Sequence, residues 1–294
     1  MEKRKIQKVG YRSYSICLPK GWVQRNSLGE KSEVGIEYSR NDELMILARE
    51  PRPKSRNLEI EVSKIQNLAE FLVFCYVKNI DSITIRTGKF DYEASREIKS
   101  TIKYLEGYDI TYEDSSKITI SFLFKEMNIS LTQIMRRMNH LISVMISALK
   151  NKDLKVLEET ETAVDRLYHL SKRIIIGCVN DSRKREENQI YDQTDLFFMN
   201  IIFKKLENIA DNIHSLKGSQ VQKKEMELLE KISELLNDMV YSKRTLKEIK
   251  EKLLKLKEQG RNSDRMIKDT HKQSMDLLEN FMSLKLNKEL ENYF

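Results

Sequence analysis

Two pairs of carboxylates, each spaced four residues apart, are the groups in this chain best suited to hold a hard cation. Glu161 and Asp165 lie in Glu158-Glu-Thr-Glu-Thr-Ala-Val-Asp-Arg-Leu-Tyr168, and Glu207 and Asp211 lie in Lys205-Leu-Glu-Asn-Ile-Ala-Asp-Asn-Ile213. On a helix, a spacing of four stacks both carboxylates on one face, where like charges repel unless a cation sits between them. Two such helices side by side offer four oxygen donors to iron or to another divalent cation such as Mg, Zn or Ca. At about 100° per residue, Glu161 lies about 80° and Asp211 about 150° from the centres of their apolar stripes, so a metal site would sit on the surface of a bundle. The same arithmetic places Glu230, Glu234 and Asp238 opposite an apolar stripe, as a solvated face.

A second set of groups is cationic. Arg4, Lys5, Lys8, Arg12 and Lys20 belong to a run of seven basic residues within positions 1–25, against the single acid Glu2. Residues 1–56 carry 13 Lys/Arg and 7 Asp/Glu, whereas the remainder carries 39 and 38, so nearly all of the net +7 lies in the first fifth of the chain. Such an excess suits a polyanion, either a nucleic acid or a negative membrane surface. Lysine and arginine on a protruding β-loop can neutralise phosphates, and an arginine can reach base edges in the major groove. His140, His169 and His271 have no ligand spacing and read as packed or surface residues, leaving His214, three residues after Asp211, as the one histidine near the acidic groups. No Ser/His/Asp or Cys/His set, phosphate-cradling glycine loop or dinucleotide fingerprint is present, so no catalytic machinery is visible and the chain is read as a non-enzyme with no organic cofactor.

The elements that must position these groups differ between the two ends of the chain. All three prolines (Pro19, Pro51, Pro53) and four of the nine glycines fall within the first 53 of 294 residues. A long proline-free tract rich in Leu, Ile, Glu and Lys is what a helical bundle requires, since an interior proline costs a helix about 3 kcal/mol. Residues 1–50 read as short strands, with a hairpin bracketing Arg40-Asn-Asp42, and 51–57 as a linker. Residues 58–123 read as a small α/β connector: a helix over about 58–79, a strand at 82–86, a helix over about 91–105 and strands at 109–112 and 118–122. Residues 124–294 read as an all-α bundle. Its first helix carries the stripe Leu131, Ile134, Met135, Met138, Leu141, Ile142, Met145 and Ile146, and further helices are expected over about 152–180, 190–217, 220–258 and 262–291. A 50-residue β-unit buries too little surface to stand alone, so dimerisation or a neighbour is expected to support it. Cys17, Cys75 and Cys178 are far apart in apolar surroundings and read as buried thiols of a reducing compartment. The longest apolar run, residues 71–77, is too short to span a bilayer, so the chain is expected to be cytoplasmic without membrane insertion.

Both ends also carry a family resemblance. Arg4-Lys-Ile-Gln-Lys-Val-Gly10, followed by Ser13-Tyr-Ser-Ile-Cys-Leu-Pro-Lys-Gly-Trp22, resembles the AbrB/SpoVT-type DNA-binding domain over about 45 residues. That resemblance implies a swapped-hairpin β-barrel dimer whose basic loops face DNA. Ser32-Glu33 departs from the Gly-Asp usual before the third strand of that family. Asp165-Arg-Leu-Tyr168 after an acidic residue, and Leu206-Glu-Asn-Ile-Ala-Asp-Asn212, resemble the two (E/D)-x-x-x-D motifs of the PhoU family, which imply surface metal clusters, often iron, on three-helix bundles. Asn208 and Asn212 stand where that family usually has Arg and His, and no further such pair follows residue 220, so one complete cluster at most is expected. Tyr104-Leu-Glu-Gly-Tyr-Asp-Ile110 resembles the connector of archaeal regulators that fuse the two parts.

Together these resemblances imply a homodimer or higher homo-oligomer that binds DNA and regulates transcription of phosphate uptake, with the bundle sensing or relaying phosphate status. The other reading is an accessory protein that docks on a phosphate-transporter ATPase or a sensor kinase and uses the β-unit only to dimerise.

Overall fold

The computed structural model describes residues 3–38, 44–48, 56–88, 92–124, 129–190, 192–260 and 263–290. The chain forms two compact units, Met1–Lys54 and Ser55–Phe294. It is a mixed α+β protein with small sheets and a mostly helical C-terminal region.

The first unit contains β1 (Ile6–Val9), β2 (Ser13–Ile16), the short helix α1 (Lys20–Arg25), β3 (Gly35–Tyr38) and β4 (Leu44–Leu47). Its strands make two separate antiparallel hairpins, with Ile6 opposite Ile16 and Lys8 opposite Tyr14 in the first, and Ile36 opposite Ile46 in the second. Gly10 turns the first hairpin at φ +69°, a left-handed conformation that side chains resist. The turn expected at 40–42 and most of the 51–57 linker lie outside the described residues. None of the described residues of this unit is buried. Cys17, expected to be buried, is exposed, because the described residues of its unit form no interior to receive it, whereas Cys75 and Cys178 are buried and burial pushes both thiols up to about 11.

The second unit begins with β5 (Asn57–Glu61), a single 3-10 turn, α2 (Leu68–Val77), β6 (Ser82–Arg86), α3 (Tyr92–Ile102), β7 (Tyr108–Glu113) and β8 (Lys117–Phe122). The sheet order is β5-β6-β8-β7, with β5 and β6 parallel and the other pairs antiparallel. A helix expected over 58–79 is thus a strand followed by a shorter helix. Leu58 and Ile60 alternate with Glu59 and Glu61, a period of two, and Asn67 caps α2 by accepting from the Glu70 N–H at 3.1 Å. One sheet face places Ile83, Ile85, Ile118 and Ile120 in the core, while the other pairs hydroxyls, Thr84 with Thr119 at 3.1 Å and Ser82 with Ser121 at 3.3 Å.

The helical region comprises α4 (Leu131–Asn151), α5 (Leu154–Asn180), α6 (Ser182–Glu187), α7 (Gln193–Ser215), α8 (Lys223–Val240), α9 (Leu246–Gln259) and α10 (Arg265–Leu290). Helix α4 packs against α5, α7 and α8, and α10 packs against α7, α8 and α9. The expected stripe of α4 is the buried one, with Ile134, Met138, Ile142 and Met145 fully enclosed. The helix expected over 220–258 is broken. Ser242 adopts φ +53°, and Thr245 opens α9 with a capping box in which the Glu248 carboxylate accepts from the Thr245 N–H at 2.9 Å while the Thr245 hydroxyl accepts from the Glu248 N–H. Thr245→Ala is expected to cost about 1 kcal/mol and to speed amide exchange over the first turn of α9. Unchanged exchange there would show that the cap carries no weight.

The sheet block and the bundle share one hydrophobic core, and Arg173 of α5 joins them. Its side chain is only 4% exposed, its Nη1 donates to the Tyr76 carbonyl at 2.6 Å, and its guanidinium lies 3.9 Å from the Phe122 ring centroid. Asn79, at φ +59°, donates to the Arg173 carbonyl at 2.9 Å.

Candidate metal centre and basic hairpin

Helices α5 and α7 lie side by side and bring three of the four expected carboxylates together. One oxygen each from Glu161, Asp165 and Asp211 lies within 4.8 Å of the others, and none of the three residues is fully buried. The heptad-like burial of Leu157, Val164 and Leu170 on α5, and of Leu206, Ile209 and Ile213 on α7, fixes the rotation that turns these acids toward one another at the edge of the interface. Glu207 is drawn aside. It is largely buried and ion-paired with Lys204, three residues earlier on the same helix.

The electrostatics of the cluster are those of crowded, partly dehydrated acids. Burial pushes the Asp165 carboxyl up to about 7, helped by the charges of Glu161, Asp211 and Glu207 and opposed by Lys204. Burial also raises Asp211 and Glu207, with Lys204 acting against both. The His169 imidazole, one turn along α5 from Asp165, is held down at about 4 by burial and by Lys172 and Lys204, so it is neutral near pH 7. His214 Nε2 and His169 Nδ1 are both buried without a hydrogen-bond partner among the described residues. Lys217, just past the end of α7, pairs with Glu158 of α5.

This donor set fits a hard divalent cation. Three carboxylate oxygens converge, Lys204 on α7 is already paired with Glu207, and a bound cation would relieve the repulsion that adds to burial in raising Asp165. Sequence spacing identified all four acids but could not show that Glu207 is engaged by Lys204. The i,i+3 spacing of Lys204 and Glu207 was the available signal.

The basic residues are placed by the first hairpin. Lys8 lies on β1, Arg12 in the turn and Lys5 just before β1, while Lys20 opens α1 and Arg4 precedes the hairpin; all five are exposed. Among the described residues, Lys5, Lys8, Arg12 and Lys20 have no ion-pair partner, and Tyr11 at the hairpin tip is 99% exposed. The hairpin thus presents cations and an aromatic ring on a narrow two-stranded ribbon, which a major groove can admit.

Among the described residues no helix is long and apolar enough to cross a membrane. Comparisons of the chain with protein-family models, with curated proteins and with solved structures return no match.

Proposed function

We propose that this protein is a cytoplasmic DNA-binding regulator of phosphate uptake, in which two copies of the first unit interlock to form the DNA-facing element and the helical unit reads phosphate or metal status. The observation that carries the reading is the first unit itself. It has no buried residue among those described, yet Ile6, Val9, Tyr14, Ile16, Ile36, Leu44 and Met45 are each between 46% and 71% exposed. Isolated two-stranded hairpins with uncovered apolar faces are marginal at best in water. A second copy that supplies the missing strands would bury those faces, leaving Lys5 ahead of β1 and Arg12 in the turn outward for phosphates, while Lys8, on the face of Ile6, Tyr14 and Ile16, would carry its ammonium to the rim on its long stem. This is the swapped-hairpin arrangement that the AbrB/SpoVT-type resemblance implies. The phosphate part of the proposal rests on the resemblance of the two acidic motifs to those of the PhoU family, and the cation would be held by Glu161, Asp165 and Asp211.

The test is a salt titration of DNA binding by the full-length protein, read by fluorescence anisotropy. Affinity should fall steeply with salt, and the double variant Lys8→Ala/Arg12→Ala should bind at least tenfold more weakly and lower the slope of log K against log salt by about two in each chain. Binding that ignores salt, or that survives the double substitution, would remove the DNA claim. The remaining reading would then be an accessory protein docking on a transporter ATPase or sensor kinase.

A further inference from the structure

A cavity of about 480 Å³ lies between α8, α9 and α10, away from the acidic cluster. Its inner wall is apolar, formed by Leu228 of α8, Leu256 of α9, and Ile267 and Met275 of α10. Gly260, at the end of α9, belongs to the same wall with an ordinary backbone, and a Cβ there would come within 2.7 Å of Leu228 Cδ2. A side chain there would push the end of Leu228 into the cavity.

Among the described residues the ionisable groups that line the cavity are all basic. Lys257 of α9 and Lys268 and Lys272 of α10 line it, all three exposed, and among the described residues none has an ion-pair partner. Lys268 and Lys272 are four residues apart on one helix face, where their charges repel. His271 also borders the space, but its Nε2 lies 2.6 Å from the Leu253 carbonyl and is committed to the backbone. Among the described residues no carboxylate lines the cavity. A mostly apolar pocket of this size bordered by a few polar groups has the make-up of a small-molecule site, and its charge selects an anion.

We infer that this cavity binds an amphipathic organic anion, a straight alkyl chain ending in a carboxylate, with the chain against Leu228, Leu256, Ile267 and Met275 and the carboxylate held by Lys257, Lys268 and Lys272. A bare inorganic anion would leave the apolar wall unused, and a neutral chain would leave the lysines uncompensated. Lysine acts here as a point charge that follows a mobile head group, which suits a ligand fixed mainly by its tail.

The experiment is calorimetric titration of the full-length protein with decanoate, decanol and acetate, kept below their micelle or solubility limits. Decanoate should bind at one site per chain, with decanol and acetate at least tenfold weaker. Leu254→Trp adds bulk at a pocket-lining position that is 46% exposed, so the fold should survive while decanoate binding is lost. Lys268→Ala/Lys272→Ala should weaken decanoate about tenfold and leave decanol unchanged. The inference is overturned if no saturable binding occurs, if decanol binds as tightly as decanoate, or if Leu254→Trp binds like the parent while showing the same helical circular dichroism.

Discussion

Replacing Arg173 with Met is expected to destabilise the second unit by about 3 kcal/mol, the net of a lost charge-assisted hydrogen bond, a lost cation-ring stack and recovered desolvation. The guanidinium is 4% exposed and meets three aromatic rings, with its centre 3.9 Å from the centroid of Phe122, 5.0 Å from that of Tyr76 and 5.7 Å from that of Tyr108. Its Nη1 satisfies the Tyr76 carbonyl near the C-terminus of α2 at 2.6 Å, and Asp81 lies 3.8 Å from Nη2. Methionine fills much of the volume but takes away the stronger of that carbonyl's two donors, leaving only the Asn79 N–H at 3.0 Å. Arg173→Lys should fall between the two, since an ammonium keeps the charge but cannot lie flat on Phe122 while reaching the backbone. Urea unfolding should show a lowered midpoint, with α2 and β6 losing exchange protection before α4. A midpoint shift worth less than about 0.5 kcal/mol, well below the ordinary loss for a buried hydrogen-bonded group, would mean that the sheet block is held to the bundle by apolar packing alone.

Binding of a divalent cation such as Mn²⁺ is expected to weaken about tenfold between pH 8 and pH 6, and to be lost in Asp165→Asn. A carboxyl held at about 7 is mostly ionised at pH 8 and mostly protonated at pH 6, and the proton competes with the metal. The same shift has an opposite consequence for the metal-free chain. The ordinary value is 3.8, so the folded state holds this proton more tightly than the unfolded state does. The group therefore contributes its stability below about pH 4, and that contribution is lost as pH rises through about 7. Asp165→Asn should accordingly stabilise the metal-free protein at pH 8, by roughly 1 to 2 kcal/mol once solvent screening of a half-exposed site is allowed for, while removing metal binding. Equilibrium dialysis and thermal unfolding in the presence of a chelator measure the two effects separately. Metal affinity independent of pH over this range, or retained by Asp165→Asn, would exclude Asp165 as a ligand.

Periodicity made the helical region legible, because a core-facing helix must repeat its apolar side chains at three and four, and α4, α5, α7 and α10 obey that rule within a few residues. It failed where two local signals competed. Over residues 58–61 the apolar period is two, but a longer apolar stretch follows and hides the strand. At 241–245 the residues Ser242 and Thr245 interrupt a run whose charge and leucine content are otherwise helical, and the Thr245–Glu248 box was the readable sign.

By itself the sequence determined the kinds of chemistry available. The lopsided charge placed the cations on the first hairpin, and the spacing of four placed Glu161 with Asp165 and Glu207 with Asp211 on common helix faces. Those are consequences of local geometry, in which each residue's direction follows from its neighbours. Tertiary structure alone decided which of these groups meet. Only the rotation and axial register of α5 against α7 bring Asp211 to Glu161 and Asp165 while Glu207 stays with Lys204. Only long-range packing buries Arg173 under Phe122, opens the cavity beneath Lys268 and Lys272, and leaves the apolar faces of the first unit uncovered. Such arrangements join residues tens to hundreds of positions apart, and no local repeat encodes them.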